Sequence, residues 1–248
     1  MNTKVIVCDL DGTLAPSKSA LEPSMARIIG EVLRTHRFAV ISGGSYTQFQ
    51  KQFISHLDCE DDVLPNLYLF PANGSVCYVY DSIHNAWQVY DEKMTEEERQ
   101  KIIRSLEEAV AESGVDVSDP YGPLIEDRGG QVTFSGKGQE APLDVKEVWD
   151  ADREKRRKIV EILEKKIPEF EIRIGGATSI DVTHQGITKA YAIHKIEEIL
   201  KIGVQDMVFI GDALYPGGND ESARETGVEC ISTSGPSETE TILKAYIQ

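Results

Sequence analysis

The sequence predicts an α/β protein built on a parallel sheet and interrupted by an inserted α+β module. Two observations carry this reading. Short apolar runs alternate with helical periodicity over residues 1–83 and again over 184–248, and between them, over 84–183, the pattern changes to Gly-bounded strands and helices of antiparallel type. In the first part, residues 5–10 form a nearly continuous apolar run that ends at Asp11-Gly12, as a strand buried on both faces does. Ile28, Ile29, Val32 and Leu33 then recur at helical spacing behind Pro23, which suits a first helical turn. Residues 38–41 give a second strand ending at Ser42-Gly43-Gly44, and Ser45 with Gln48 resembles a capping box for a helix carrying Phe49 and Phe53. A third run at 67–70 leads to Asn73-Gly74, a turn signal after which residues 76–80 can return as a hairpin strand.

In the middle module a strand-like run at 87–90 precedes a helix capped by Thr95 and Glu98, with Ile103, Leu106 and Val110 on one face. Residues 125–127 and 131–134 alternate like a hairpin. Ile159, Ile162, Leu163 and Ile167 define a further helix ending at Pro168, and strands follow around 170–174 and 179–182. The α/β pattern then resumes with Ile193, Ile196 and Leu200 on a helix, a buried strand at 207–210 ending in Gly211-Asp212, and a last strand at 230–232.

The 248 residues suffice for one large core or two smaller ones without disulfide or metal staples. With 40% apolar and 27% charged residues the chain is neither disordered nor fibrous, and no apolar run approaches the roughly 20 residues that span a bilayer. The amino-terminal residues run directly into a strand without the apolar core of a secretory signal, and the four cysteines are scattered with no C-x-x-C spacing. A cytoplasmic location with reduced thiols is expected. The balance of 26 basic against 42 acidic residues, a formal charge of -16, repels nucleic-acid phosphates and anionic lipids and argues against both as partners. A small phosphorylated substrate would need local cations or a metal to overturn that field.

The hexapeptide Asp9-Leu10-Asp11-Gly12-Thr13-Leu14 is the most informative in the chain. A single Asp-Gly after a strand is commonplace, but Asp9 ends an apolar run, where an unpaired charge is costly, and Asp11 two residues on reaches the same space. Two acids at the carboxyl edge of a parallel strand suit a nucleophile and a general acid/base around Mg2+. Ser42-Gly43-Gly44 offers a hydroxyl and backbone N–H groups near a helix start, a setting that favours phosphate. Lys189 lies in the first turn of a helix, where a cation opposes the dipole. Asp212, Asn219 and Asp220 bring two further acids and an amide to a Gly-rich loop behind a strand, although such acids are often only turn formers.

In this order the four elements, D-x-D-G-T, Ser, Lys and G-D…N-D, resemble the motifs of the haloacid dehalogenase superfamily of phosphotransferases, and the insertion between the second and third resembles its C2-type cap, subtype B. The resemblance covers nearly the whole chain and implies a Rossmann-like core, with Asp9 as nucleophile, Asp11 as general acid/base, and Ser42, Gly43 and Lys189 on the transferring phosphate. It further implies Mg2+ held by Asp9, the backbone carbonyl of Asp11, and Asp212, with Asn219 and Asp220 completing the metal loop. Within the superfamily, residues 212–220, 125–133 and 174–182 are similar to segments of eukaryotic-type phosphomannomutases. That similarity assigns substrate contacts to Arg128, Ser179 and Asp181, and to Lys18 and Lys137 where those enzymes carry arginines, while Asp144 stands near the expected place of a further arginine. A lysine binds phosphate as a point charge without the bidentate fork. The expected function is therefore Mg2+-dependent phosphoryl transfer on a sugar phosphate, first as hydrolysis, with a phosphomannomutase as the alternative and a cap-mediated homodimer implied by the family. A binding protein on the same fold would predict loss of Asp9, Asp11 or Lys189, and a calcium module would need a D-x-[DN]-x-[DN]-G loop that the sequence lacks.

Overall fold

The computed structural model describes residues 3–84, 86–91 and 94–247. Its strands and helices are, in chain order, β1 (Val5–Asp9), α1 (Pro23–Val32), β2 (Arg37–Ile41), α2 (Tyr46–Gln52), β3 (Leu67–Phe70), β4 (Val76–Asp81), β5 (Ala86–Asp91), α3 (Glu96–Ser113), β6 (Ile125–Asp127), β7 (Val132–Ser135), α4 (Leu143–Trp149), α5 (Glu154–Lys166), β8 (Phe170–Gly175), β9 (Ser179–His184), α6 (Lys189–Leu200), β10 (Met207–Gly211), β11 (Glu229–Ser232) and α7 (Pro236–Lys244). They form two compact units, Met1–Asp91 with Ile187–Gln248, and Glu92–Gly186. Among the described residues no helix is long and apolar enough to cross a membrane.

The first unit holds a seven-stranded sheet in the order β11-β10-β1-β2-β3-β4-β5, parallel from β11 to β3 and antiparallel over the last two pairings. Over residues 5–8, 38–41, 67–70 and 207–210 its central strands are apolar because both faces are covered. Ile6, Cys8, Phe38 and Val40 point into the layer formed with Met25, Ile29 and Leu243, whereas Val5, Val7, Ala39 and Ile41 meet Ala192, Ile193 and Ile196 of α6 on the other side. From β1 the neighbouring strands are β2 on one side and β10 on the other. Such a change of direction leaves a crevice at the carboxyl ends of the strands, where α/β proteins bind ligands. Asp9, Ser42 and Asp212 all lie at those ends.

The second unit is an antiparallel sheet in the order β6-β7-β9-β8 backed by α3 and α5. Val132, Phe134, Ile180 and Val182 alternate onto the face that meets Ile102, Leu106, Ala109, Ile159 and Leu163. Thr133, Ser135, Ser179 and Asp181 fall on the opposite face, which is polar. At the start of α3 the capping box is complete: the Thr95 hydroxyl accepts from Glu98 N at 3.2 Å, and the Glu98 carboxylate accepts from Thr95 N at 2.8 Å.

Three elements differ from the sequence reading. The run at 87–90 belongs to β5, which pairs with β4 from Val76↔Asp91 to Asp81↔Ala86, so the large sheet extends past residue 83 and the units divide at 91/92 and 186/187. The turn between these strands is closed by the Asp81 side chain, which accepts from Ile83 N at 2.8 Å, and this local bond gives no apolar signal. Helix α4 escapes pattern reading because it exposes Leu143 and Val148 instead of burying one stripe. Helix α7 begins at Pro236 and buries only Thr239 and Leu243, too few positions to establish a period.

Leu106 is fully enclosed between α3, α5 and the small sheet. Leu106→Ala should cost about 3 kcal/mol through lost transfer energy and a residual cavity. Urea unfolding followed by circular dichroism measures this, and a loss below about 1 kcal/mol would show that this helix face is not close-packed.

Candidate active site

Asp9 is the last residue of β1 and Lys189 the first of α6, and both are buried. The Lys189 ammonium donates to Asp9 Oδ1 at 2.5 Å and to Asp220 Oδ1, while Asp220 Oδ2 accepts from Ala213 N at 2.9 Å. A cation at a helix start is opposed by the dipole and by burial, so its place here requires the two carboxylates. Burial works against the Lys189 charge, but Asp220 and Asp9 overcome it and hold the ammonium above the ordinary lysine value. For Asp9, burial dominates: the carboxyl is pushed up to about 7, with Lys189 opposing the rise and Asp220 and Asp11 adding to it. Asp9 Oδ2 is buried with no hydrogen-bond partner among the described residues.

Asp212 follows β10 and joins the same group. Oxygens of Asp9, Asp212 and Asp220 all lie within 4.8 Å of one another. Burial raises the Asp212 carboxyl, and Asp220 adds to the effect. Thr13 locks Asp212 in place by donating to its Oδ1 at 3.2 Å and accepting from its backbone N–H at 3.1 Å. Gly12 makes this approach possible, because at its φ of +87° a Cβ would stand 2.5 Å from Asp212 Oδ2. Lys189 bonds two of the three clustered carboxylates, and among the described residues one of their buried oxygens lacks a partner. That donor set fits a small hard dication such as Mg2+, with Asp9, Asp212 and Asp220 able to contribute.

The Asp11 carboxylate is held apart from that group. Its Oδ1 accepts from Lys18 N at 2.6 Å and from Gln52 Nε2 at 2.9 Å, and Gln52 in turn accepts from Gln48 Nε2 at 3.0 Å. Lys18 is exposed and takes a left-handed backbone, φ 55°, which turns its N–H toward Asp11. Ser42 is buried at the end of β2, where its backbone pairs with Phe70 O at 3.1 Å and Asn73 N at 2.9 Å. Its hydroxyl accepts from Gly44 N at 3.1 Å, and the half-buried Gly43 lies between them. Asn219 is exposed in the loop ahead of Asp220, unlike its buried neighbour.

The remaining expected residues lie in the second unit. Arg128 is paired with Glu126, Nε to Oε2 at 2.7 Å, and also reaches Gln139 Oε1 at 3.4 Å. The Lys137 ammonium donates to Ser118 O at 2.7 Å, and Asp144 is exposed in the first turn of α4. Asp181 Oδ1 accepts from Thr133 Oγ1 at 2.8 Å and Gln131 Nε2 at 3.0 Å, and Ser179 stands half-buried two residues earlier. Sequence reasoning missed Gln52, Thr13 and Gln131. Thr13 lies inside the informative hexapeptide and Gln131 inside the segment 125–133 already singled out, and both could have been found there, whereas Gln52 has only a tertiary signal.

The match to the family model of eukaryotic phosphomannomutase spans residues 25–248. The chain belongs to the eukaryotic phosphomannomutase family. A phosphomannomutase of Schizosaccharomyces pombe is 28% identical over 221 residues, covering 87% of this chain and 83% of that one. One from Encephalitozoon cuniculi is 26% identical over 245 residues, covering 95% and 90%. Among solved structures, a trehalose-6-phosphate phosphatase related protein superposes with a TM-score of 0.63 at 17% identity over 98% of this chain and 97% of its own, a likeness of fold. This member of the phosphomannomutase family is thus an enzyme of the haloacid dehalogenase type that transfers phosphoryl groups. Hydrolysis, the first expectation from sequence, is not the activity that these relatives favour.

Raising the Asp9 pKa to about 7 has a measurable consequence in metal-free protein. Between pH 4 and 7 the folded state keeps a proton that the unfolded chain releases, so this contribution to stability is lost as pH rises through about 7. The melting temperature of protein stripped with EDTA should fall from pH 5 to 8, and Asp9→Asn should flatten that profile. An unchanged slope in the variant would assign the dependence to other groups.

Proposed function

We propose that this protein is a Mg2+-dependent hexose-phosphate mutase that moves a phosphoryl group between the 1 and 6 positions through an aspartyl-phosphate at Asp9. The observation that carries the reading is the buried, unpartnered Oδ2 of Asp9 beside Lys189, Asp212 and Asp220, in a chain whose family model spans residues 25–248. An oxygen with no hydrogen bond to break is available for in-line attack on phosphorus. As the Asp9–phosphorus bond forms, the bond to the sugar oxygen breaks, and Asp11 gives that oxygen its proton. Gln52 and the Lys18 N–H fix Asp11 Oδ1 for this task. In the other half of the cycle Asp11 takes the proton from the free hydroxyl of a hexose monophosphate, whose oxygen attacks the phosphorus carried by Asp9. The Asp9–phosphorus bond breaks and a hexose 1,6-bisphosphate forms; after the sugar reverses, the first step on its other phosphate restores the phosphorylated Asp9 and leaves the isomer. Lys189, the Ser42 hydroxyl and Gly43 N–H offset the charge on the equatorial oxygens. Bound through Asp9, Asp212 and Asp220, with the Asp11 carbonyl and Asn219 nearby in sequence, Mg2+ would neutralise the phosphoryl oxygens.

The mutase must retain a bisphosphorylated sugar while it reverses. Following the family resemblance, Arg128 and Lys137 of the second unit are assigned to its distal phosphate and Ser179 and Asp181 to its hydroxyls, while Lys18 stays a substrate contact of the first unit. The polar face of the small sheet supplies the last two groups. In phosphorus NMR, mannose 1-phosphate with Mg2+ and a catalytic amount of hexose 1,6-bisphosphate should convert to the 6-phosphate without net inorganic phosphate. Steady phosphate release with no isomer would return the reading to hydrolysis. Asp9→Asn should lower kcat by at least about a hundredfold while the circular dichroism spectrum is kept. Retention of a tenth of the activity would remove Asp9 from the nucleophile role.

A further inference from the structure

The second unit contains a charged pair that the proposed chemistry leaves unused. Arg156 and Asp150 are each only 2% exposed, and Arg156 Nε donates to Asp150 Oδ2 at 2.7 Å. Asp150 also accepts from the backbone N–H groups of Lys155 at 2.8 Å and Arg156 at 3.2 Å, which anchors the start of α5. Arg156 Nη2 turns back to Asp150 O at 3.2 Å. Its Nη1 forks onto two consecutive carbonyls, Gly175 O at 3.1 Å and Gly176 O at 2.8 Å. Replacing a buried ion pair with apolar side chains of similar volume is often neutral for stability, so stability alone does not account for the pair. What it achieves is geometric: it ties the turn between β8 and β9 to α5.

The opposite side of that turn is tied as well. Thr178 Oγ1 meets Ser135 Oγ at 2.9 Å, and Gly136 N donates to Thr178 O at 3.1 Å. Ser179 and Asp181 follow directly from a turn held at both ends. Gly175 contributes a second constraint, because a Cβ there would lie 2.6 Å from Asp181 Oδ2, so the position of its backbone decides whether that carboxylate keeps its place. Thr133 and Gln131 complete the orientation from β7 and the residue before it.

We infer that Arg156 is a positioning residue for sugar recognition: by fixing the Gly175 and Gly176 carbonyls it sets where Ser179 and Asp181 stand. The inference rests on the proposed assignment of those two residues to the hexose hydroxyls. Arg156→Lys keeps a charge against Asp150 but cannot span both that carboxylate and two carbonyls. Amide hydrogen exchange in this variant should quicken at least tenfold over residues 175–181 while α3 keeps its protection. Its kcat/KM for mannose 1-phosphate should fall about tenfold more than that for a small aryl phosphate, chiefly through KM. On a background carrying Ser179→Ala and Asp181→Ala together the same substitution should add less than a twofold loss, since both groups it positions are gone.

A second variant, Asp150→Leu with Arg156→Met, removes the charges together and should show the same local exchange and the same substrate bias. Uniformly faster exchange across the unit, with equal losses on both substrates, would make Arg156 a stability residue and overturn the inference. Unchanged exchange over 175–181 would overturn it independently of any assay. Absence of turnover on every hexose phosphate by the unaltered enzyme would instead overturn the proposed function, and with it the sugar half of the inference, leaving the turn-holding role to be read from exchange alone.

Discussion

The burial of Lys189 between Asp9 and Asp220 is the constraint on which the rest of the first unit depends. A cation at the start of a helix and out of water is stable only if carboxylates meet it, and those carboxylates come from β1 and from the loop after β10. One interaction therefore joins three segments that are remote in sequence. It also determines the local shape of the chain: Asp220 is held by Ala213 N, which folds the intervening loop back on itself, and Asp212 is thereby brought beside Asp9. The charge balance remains negative, with three acids to one lysine, a deficit that a bound dication would correct.

Much of this was readable before any coordinates. Asp9 and Asp11 stand out because carboxylates at the end of an apolar run have no cheap structural explanation, and Lys189 because it occupies the unfavourable end of its helix. The small sheet was readable from alternation and the long helices from their apolar stripes. Other features left no local trace. Gln52 is the last residue of α2 and looks like any polar helix residue, and only the fold brings it to Asp11. Arg156 lies in a run of charges from 150 to 157 that has the composition of a solvated face, yet it is among the largest fully enclosed side chains of the protein. Pattern reading finds where charge meets an apolar run, and it fails where charge meets charge inside the fold.

The division of labour between the units explains why sequence favoured one activity and the relatives another. All the residues that would make and break the aspartyl-phosphate lie in the first unit, and they are the same for water or a sugar hydroxyl as acceptor. On the proposed assignment acceptor choice falls to the second unit, where the resemblance matches Arg128, Ser179 and Asp181 of this chain to the mutases but sets Lys137 and Asp144 where it implies arginines. Its identity to the mutases, 28% with the Schizosaccharomyces pombe protein, leaves room for that drift.

Cys8 sits in β1 immediately before the nucleophile and is fully enclosed. Burial pushes its thiol well above the ordinary range, and the Asp9 and Asp220 carboxylates push it further the same way. The thiolate is the reactive form towards peroxides and alkylating agents, so a sulfur one residue from the catalytic carboxylate is chemically silent at neutral pH. Burial raises Cys77 to about 12 and also raises the half-buried Cys59 and Cys230. Enzymes that transfer phosphate through a cysteine stop working under oxidative stress. With a carboxylate as the proposed nucleophile and the neighbouring thiol buried and held protonated, there is no thiolate at this point of the chain for an oxidant to attack.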